Sequence, residues 1–191
     1  ACSHSKTNFV VMKKLNLLFL LTFLLFGSTL FGQTPNWIGG TGDWDNPANW
    51  TGGVPTAATQ VVINSPGSNI TIPNGVAAVA LSIKIYDGSL TVSETATLSI
   101  NGAAGESGLL LQGNTNNANF TNHGTTTITN IAGGGLNLTL NCNFHNSATG
   151  TLTIDGTSGN QGHGFTSFAT VGSMLNEGTM NMTNIHKFGL Y

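Results

Sequence analysis

Three tryptophans, Trp37, Trp44 and Trp50, fall close together in the stretch NWIGGTGDWDNPANWTGGVP. Aromatic faces stack on sugar rings, so the trio is a candidate glycan platform. The competing role is to plug the open end of the structure that follows, where apolar surface would otherwise meet water. Capping is a requirement of a stacked architecture, and it is the favoured reading. Asp43 and Asp45 flank Trp44 two residues apart, a spacing that turns both carboxylates to one side of a strand as oxygen ligands for a hard cation. Two carboxylates are too few to specify such a site, and turn capping accounts for both.

Catalytic chemistry has little to draw on. Asp87, Glu94, Glu106, Asp155 and Glu177 are scattered, and the chain has no arginine. A glycosidase needs two carboxylates flanking one bond. Asp155 and Glu177 could approach across neighbouring coils as an acid pair, a minor reading beside scattered surface carboxylates. His123, His145, His163 and His186 show no metal-ligand spacing, and His163 belongs to the glycine-rich stretch 159–164. Phosphate loops, nucleophile elbows and zinc patterns do not occur. The sequence therefore names no catalytic residue, no metal and no cofactor.

Hydroxyls carry the last possibility. With Leu152 and Ile154 inward, Thr151 and Thr153 point outward, and Thr125, Thr127 and Thr129 occupy the equivalent strand. A regular threonine array is how some β-solenoids bind ice. Plain β-propensity on a solvated face explains the same residues. Asn181 and Asp155 interrupt the columns, so ice binding ranks below the other readings.

The elements that position these groups are short strands. From Val61 onward, apolar and polar residues alternate in segments such as Val61–Ile63, Ile70–Ile72, Leu81–Ile85, Leu98–Ile100, Leu109–Leu111, Leu152–Ile154 and Met180–Met182. Asn74-Gly75, Asp87-Gly88, Asn101-Gly102 and Asp155-Gly156 read as turns. The strands also repeat: Gly88-Ser-Leu-Thr-Val, Gly124-Thr-Thr-Thr-Ile, Gly150-Thr-Leu-Thr-Ile and Gly178-Thr-Met-Asn-Met share one pattern, as does Ala96-Thr-Leu-Ser-Ile. Gly124, Gly150 and Gly178 are 26 and 28 residues apart, a solenoid interval. Stacking then predicts one interior column of Phe120, Phe144 and Met174 and another of Ile128, Ile154 and Met182. Glycine and asparagine at the corners supply left-handed backbone. The expected fold is all-β, a right-handed parallel β-helix with a Trp-rich N-terminal cap; the alternative is an antiparallel β-sandwich, which gives no reason for the long interval.

Composition agrees with an exported repeat protein. Met12 opens MKKLNLLFLLTFLLFGSTLFG, a secretory leader with Lys13 and Lys14 before an apolar run and small residues at its end. Residues 1–11 read as upstream sequence that is not native to the protein, 12–32 as the signal peptide, 33–60 as the cap and 61–191 as β-helix repeats. Removing residues 1–32 from 191 leaves 159, of which 69 are Asn, Thr or Gly. In that part Lys84 and Lys187 stand against seven acidic residues, a balance of −5. Amides and hydroxyls must therefore do for this surface what charge does elsewhere. So little positive charge excludes a nucleic-acid footprint, and no membrane span is expected once the leader is removed. Cys142 has no partner after the leader, and reads as a small core residue. Five Asn-x-Thr sequons, at 49, 69, 119, 137 and 181, would matter only in a eukaryotic secretory route.

Gly42-Asp-Trp44, Asn49-Trp50 and Gly53-Val-Pro55, followed by Val61-Val-Ile, resemble the N-terminal segment of large autotransporter-like adhesins from Bacteroidetes and related bacteria. The run at 88–102 is similar to their β-helical repeats, and Phe31-Gly-Gln33 is similar to the leader ends of gliding bacteria with a type IX export route. That resemblance implies a protein secreted to, or held at, the outer surface of a Gram-negative bacterium. It implies a non-catalytic scaffold or adhesin whose partner is extracellular polysaccharide or another cell surface. Such proteins run longer and end in a sorting domain, so the expectation is an N-terminal fragment. A β-helical polysaccharide lyase or glycoside hydrolase is the alternative from another class.

Overall fold

Alternation along the chain decides the architecture. Val61 and Ile63 are buried with Val62 between them partly exposed, and the same in–out pattern recurs at Leu98/Ile100, Phe120/Asn122 and Leu152/Ile154. A computed structural model describes residues 35–102, 107–157, 162–167 and 172–187. All of these belong to the unit Thr34–Tyr191. The leader at 12–32 and the upstream residues 1–11 lie outside the described residues.

The strands line three faces. On the first, the start of β2 (Gln60–Ile72) pairs with the start of β4 (Ser82–Val92). Then come β6 (Leu109–Leu111), β9 (Leu136–Leu138) and β12 (Phe165–Ser167). On the second, the far ends of β2 and β4 continue into β7 (Ala118–Asn122), β10 (Cys142–Asn146) and β13 (Ser173–Asn176). A short β1 (Thr41–Asp43) lies along the outer edge of β2. The third face is β3 (Ala77–Ala80), β5 (Thr97–Ile100), β8 (Thr125–Ile131), β11 (Thr151–Thr157) and β14 (Thr179–Thr183). Each of these strand pairs is parallel, and each coil adds one strand to the five-stranded third sheet, so the protein is a parallel β-helix of about five coils. Parallel ladders throughout exclude the sandwich.

The two predicted interior columns are present. Phe120 is in register with Phe144, and Phe144 with Met174; the two phenyl rings stack with centroids 5.9 Å apart. Leu90 extends that column by one coil. Ile128, Ile154 and Met182 form the other, continued by Ile100 and Ala80. Phe120 and Phe144 are essentially fully buried, whereas Met174, in the last described coil, is 42% exposed.

Three expectations need correction. Gly88-Ser-Leu-Thr-Val does not share a face with the strands after Gly124, Gly150 and Gly178: it lies on the second face, with Leu90 over Phe120. The true counterpart is Ala96-Thr-Leu-Ser-Ile, whose Thr97 pairs with Thr125. The pattern is common to any strand that leaves a corner, so it cannot tell one face from another. Asp87-Gly88 and Asp155-Gly156 are not turns between strands but bends inside β4 and β11, where the chain changes face. Finally, Gly124, Gly150 and Gly178 are not left-handed. They are needed because a Cβ at Gly124 would collide with the carbonyl oxygens of Ser93 and Ala96, and one at Gly178 with those of Ser147 and Gly150. The left-handed corner is elsewhere, at Gly102, Asn130, Gly156 and Asn184, whose φ angles are 55°, 55°, 74° and 52°.

The aromatic column yields a stability prediction. Phe144→Ala should lower the unfolding free energy by about 3–5 kcal/mol, since a fully buried phenyl is lost and the neighbours cannot collapse into its place. Met174→Ala should cost much less. Urea denaturation of both variants measures this, and equal losses would contradict the stacked column.

Candidate functional site

The third face carries one strand from each coil, paired in register along its length. Its inward positions include Leu98, Ile100, Ile128, Leu152 and Ile154, all fully buried. The residues between them point out. Register places Thr97, Thr125, Thr151 and Thr179 in one column, headed by Ala77. A second column holds Val79, Ser99, Thr127, Thr153 and Asn181. The first column is thus an unbroken row of four threonines. Asn181 falls at the end of the second column and Asp155 in a third, beside the corner. Both residues interrupt their columns, as expected, and the first column is free of them.

Polar ladders run along the corners that flank this face. Between the second and third faces, Asn122 and Asn146 are fully buried. Asn122 Nδ2 donates to Asn146 Oδ1 at 2.8 Å, and Asn146 Nδ2 to Asn176 Oδ1 at 2.7 Å. The same amides reach the backbone: Asn122 Nδ2 donates to the Thr151 carbonyl and Asn146 Nδ2 to the Thr179 carbonyl, each at 3.1 Å. Thr126, turned inward, donates to Asn122 Oδ1 at 2.9 Å. In the first two coils Ile72 and Val92 fill these positions. At the far corner, Asn101 Oδ1 accepts from Thr129 Oγ1 and Asn130 Nδ2 at 3.1 and 2.8 Å. Asp155 Oδ1 accepts from Thr183 Oγ1 and Asn184 Nδ2 at 2.8 and 2.7 Å, and these bonds hold its carboxyl below the usual aspartate range.

The tryptophans are spent on packing. Trp37, Trp44 and Trp50 are 8%, 1% and 4% exposed and belong to the same buried cluster as the coils. Trp50 meets each of the other two edge-on at 5.0 Å. Trp50 Nε1 donates to the Trp44 carbonyl at 2.7 Å and Trp37 Nε1 to the Gly40 carbonyl at 3.3 Å. Trp44 N–H donates to the Thr71 carbonyl at 2.7 Å, which seats the segment on the first coil. No indole face is left open for a sugar ring.

Asp155 and Glu177 are not brought together. Glu177 Oε2 lies 2.9 Å from His145 Nε2, next to Thr179, while Asp155 pairs with Thr183. Four residues of strand, about 13 Å at the usual rise, separate those levels. His123 meets the His145 ring edge-on at 6.2 Å, and its Nδ1 lies 3.0 Å from Ser147 Oγ. That corner brings two histidines and a carboxylate near one another, and among the described residues no group of three or more His, Cys, Asp or Glu side chains could hold a metal ion. An exposed pair such as His145–Glu177 is worth about 0–1 kcal/mol. Cys142 is buried over Ala118 with its thiol pKa pushed up by burial, as befits a core residue.

Two predictions follow from the ladders. Asn146→Leu removes the acceptor that Asn122 Nδ2 has besides the Thr151 carbonyl and the donor to Asn176 and the Thr179 carbonyl, and the broken buried ladder should cost about 1–3 kcal/mol by chemical denaturation. For Asp155 the folded pKa lies below the unfolded one, so its contribution is present above the unfolded value and is lost as pH falls through the folded value. Asp155→Asn should therefore flatten the acid limb of a stability–pH curve and leave the neutral region's slope unchanged. An unaltered acid limb would remove Asp155 from the corner's stability.

In comparisons with known proteins, no family model, no curated protein and no solved structure matches the chain.

Proposed function

We propose that the protein is an exported, non-catalytic attachment scaffold at the outer surface of a Gram-negative bacterium, and that its third face is the contact surface. The supporting observation is the row Thr97, Thr125, Thr151 and Thr179, held in register by backbone pairing. Single hydroxyl contacts in water gain little, about 1 kcal/mol each. Many such contacts made at once to a repetitive solid add up, because the first contact fixes the rest at high effective concentration. An array of this kind suits an extended partner better than a small molecule.

Export rests on the leader from Met12, and the adhesin role on the resemblance in the cap and repeats. The enzyme alternative would need facing acids, and Asp155 and Glu177 each face a different neighbour. No helix of the described residues is long and apolar enough to cross a membrane.

Sedimentation tests the proposal. The full chain, mixed with insoluble polysaccharide, bacterial cells or ice, should be retained on at least one of these solids, and no reducing sugar should be released. The double change Thr125→Lys with Thr151→Lys should reduce retention about tenfold, since loss of several weak contacts multiplies. Retention unaffected by that change would remove the third face from the function, and sugar release would overturn the non-catalytic reading.

A further inference from the structure

We propose that the solid recognised by the third face is ice. This rests on the attachment reading above and names the ligand of the same face.

The chemistry of the face selects among solids. Recognition of a sugar polymer draws on exposed aromatic rings for stacking, and the outward positions of β3, β5, β8, β11 and β14 carry none. The three tryptophans that would supply stacking are buried in the cap. Charged groups, which hold liquid water tightly, are also absent from the first two columns. The carboxylates that border the face stand at its corners: Asp155 is occupied by Thr183 and Asn184 at one, Glu177 faces His145 at the other, and Glu94 lies in the turn before Thr97.

What the face presents is one methyl and one hydroxyl per threonine, repeated on a lattice. Parallel strands set the interval between coils at about 4.8 Å, and alternate residues along each strand stand about 6.6 Å apart. Pairing runs from Thr97/Ser99 through Thr125/Thr127 and Thr151/Thr153 without a bulge. β-branching restricts χ1, so the hydroxyls are fixed before they meet a partner and lose little entropy on binding. Thr97, Thr125 and Thr179 are exposed and Thr151 half-exposed. A hydroxyl can donate and accept, as a water molecule does. A rigid two-dimensional array of such groups, free of charge and aromatic rings, complements a lattice of water better than it complements a polysaccharide chain.

Thermal hysteresis and ice-crystal shaping by the full chain test this inference. The wild-type chain should depress the freezing point below the melting point and facet a growing crystal. Thr125→Lys with Thr151→Lys should lower the hysteresis about tenfold at equal concentration, because the contacts act together. Thr91→Lys, outward on the second face, should retain it. Circular dichroism and a thermal melt verify folding of each variant. Should the lysine pair unfold the chain, Thr125→Ser with Thr151→Ser keeps the hydroxyls and removes the methyls and the fixed rotamers, and it too should lose activity. Absence of hysteresis and shaping in the wild type overturns the inference, as does equal loss in Thr91→Lys or full activity in the folded lysine or serine pair. Retention on polysaccharide or cells without ice activity overturns the ice inference and leaves the attachment scaffold standing; retention on no solid overturns both.

Discussion

Each coil of this protein is held by the coil above and the coil below, through parallel backbone pairing at fixed register. A single coil has one thin line of apolar side chains and cannot bury it alone. Stacking is what turns Leu90, Phe120, Phe144 and Met174 into a continuous column, and Ile100, Ile128 and Ile154 into a second. Pairing between coils therefore supplies both the hydrogen bonds and the core. The ends are where this arrangement is costly, and at the N-terminal end three interlocked indoles and the added strand β1 meet that cost.

The corners have to turn the chain without disturbing the register. Two solutions occur at the corner before the third face. In the first coils it is filled by Ile72 and Val92, followed by the side chains of Val76 and Ala96. From Asn122 onward the amides of Asn122 and Asn146 occupy the corner and bond along the axis, and the following position loses its side chain at Gly124, Gly150 and Gly178. These changes belong together. A Cβ at Gly150 would run into Asn146 Oδ1, so the amide ladder and the bare glycine are two halves of one packing arrangement. Buried amides are tolerated there because the carbonyls of Thr151 and Thr179 and the neighbouring asparagines satisfy them.

Much of this was legible in the sequence, for reasons that also define what was not. Large apolar residues at a long, regular interval gave the two columns, because Phe120, Phe144 and Met174 stand out against Thr and Asn. The first face was harder: Leu109–Leu111, Leu136–Leu138 and Phe165–Ser167 are brief and are reached through glycine-rich segments of unequal length. Ala77–Ala80 has too little contrast between its faces to be read as a strand. Asparagine is ambiguous by nature, and nothing in Asn122 or Asn146 alone says that they are buried. Nor does a glycine in a sequence reveal whether it is there for its φ or for lack of a Cβ; Gly156 is the first case and Gly150 the second. The pattern after Gly88 fits strands of either face, so only the register shows that Thr97, and not Ser89, heads the threonine row.

Evenness of the third face follows from where irregularity is stored. A single residue separates Asn122 from Gly124, but three separate Asn146 from Gly150, and still both asparagines and both glycines stay in register. The additional residues bulge outward at the corner, where Ser147 bonds His123 and Thr149 Oγ1 donates to the His123 carbonyl at 2.8 Å. Length differences between coils are absorbed there and do not reach Thr125, Thr151 or Thr179. The array is thus a property of the backbone lattice, with corners that take up the variation and strands that do not. A surface built this way is accurate over distance without any long-range contact, which is what a partner with its own repeat requires.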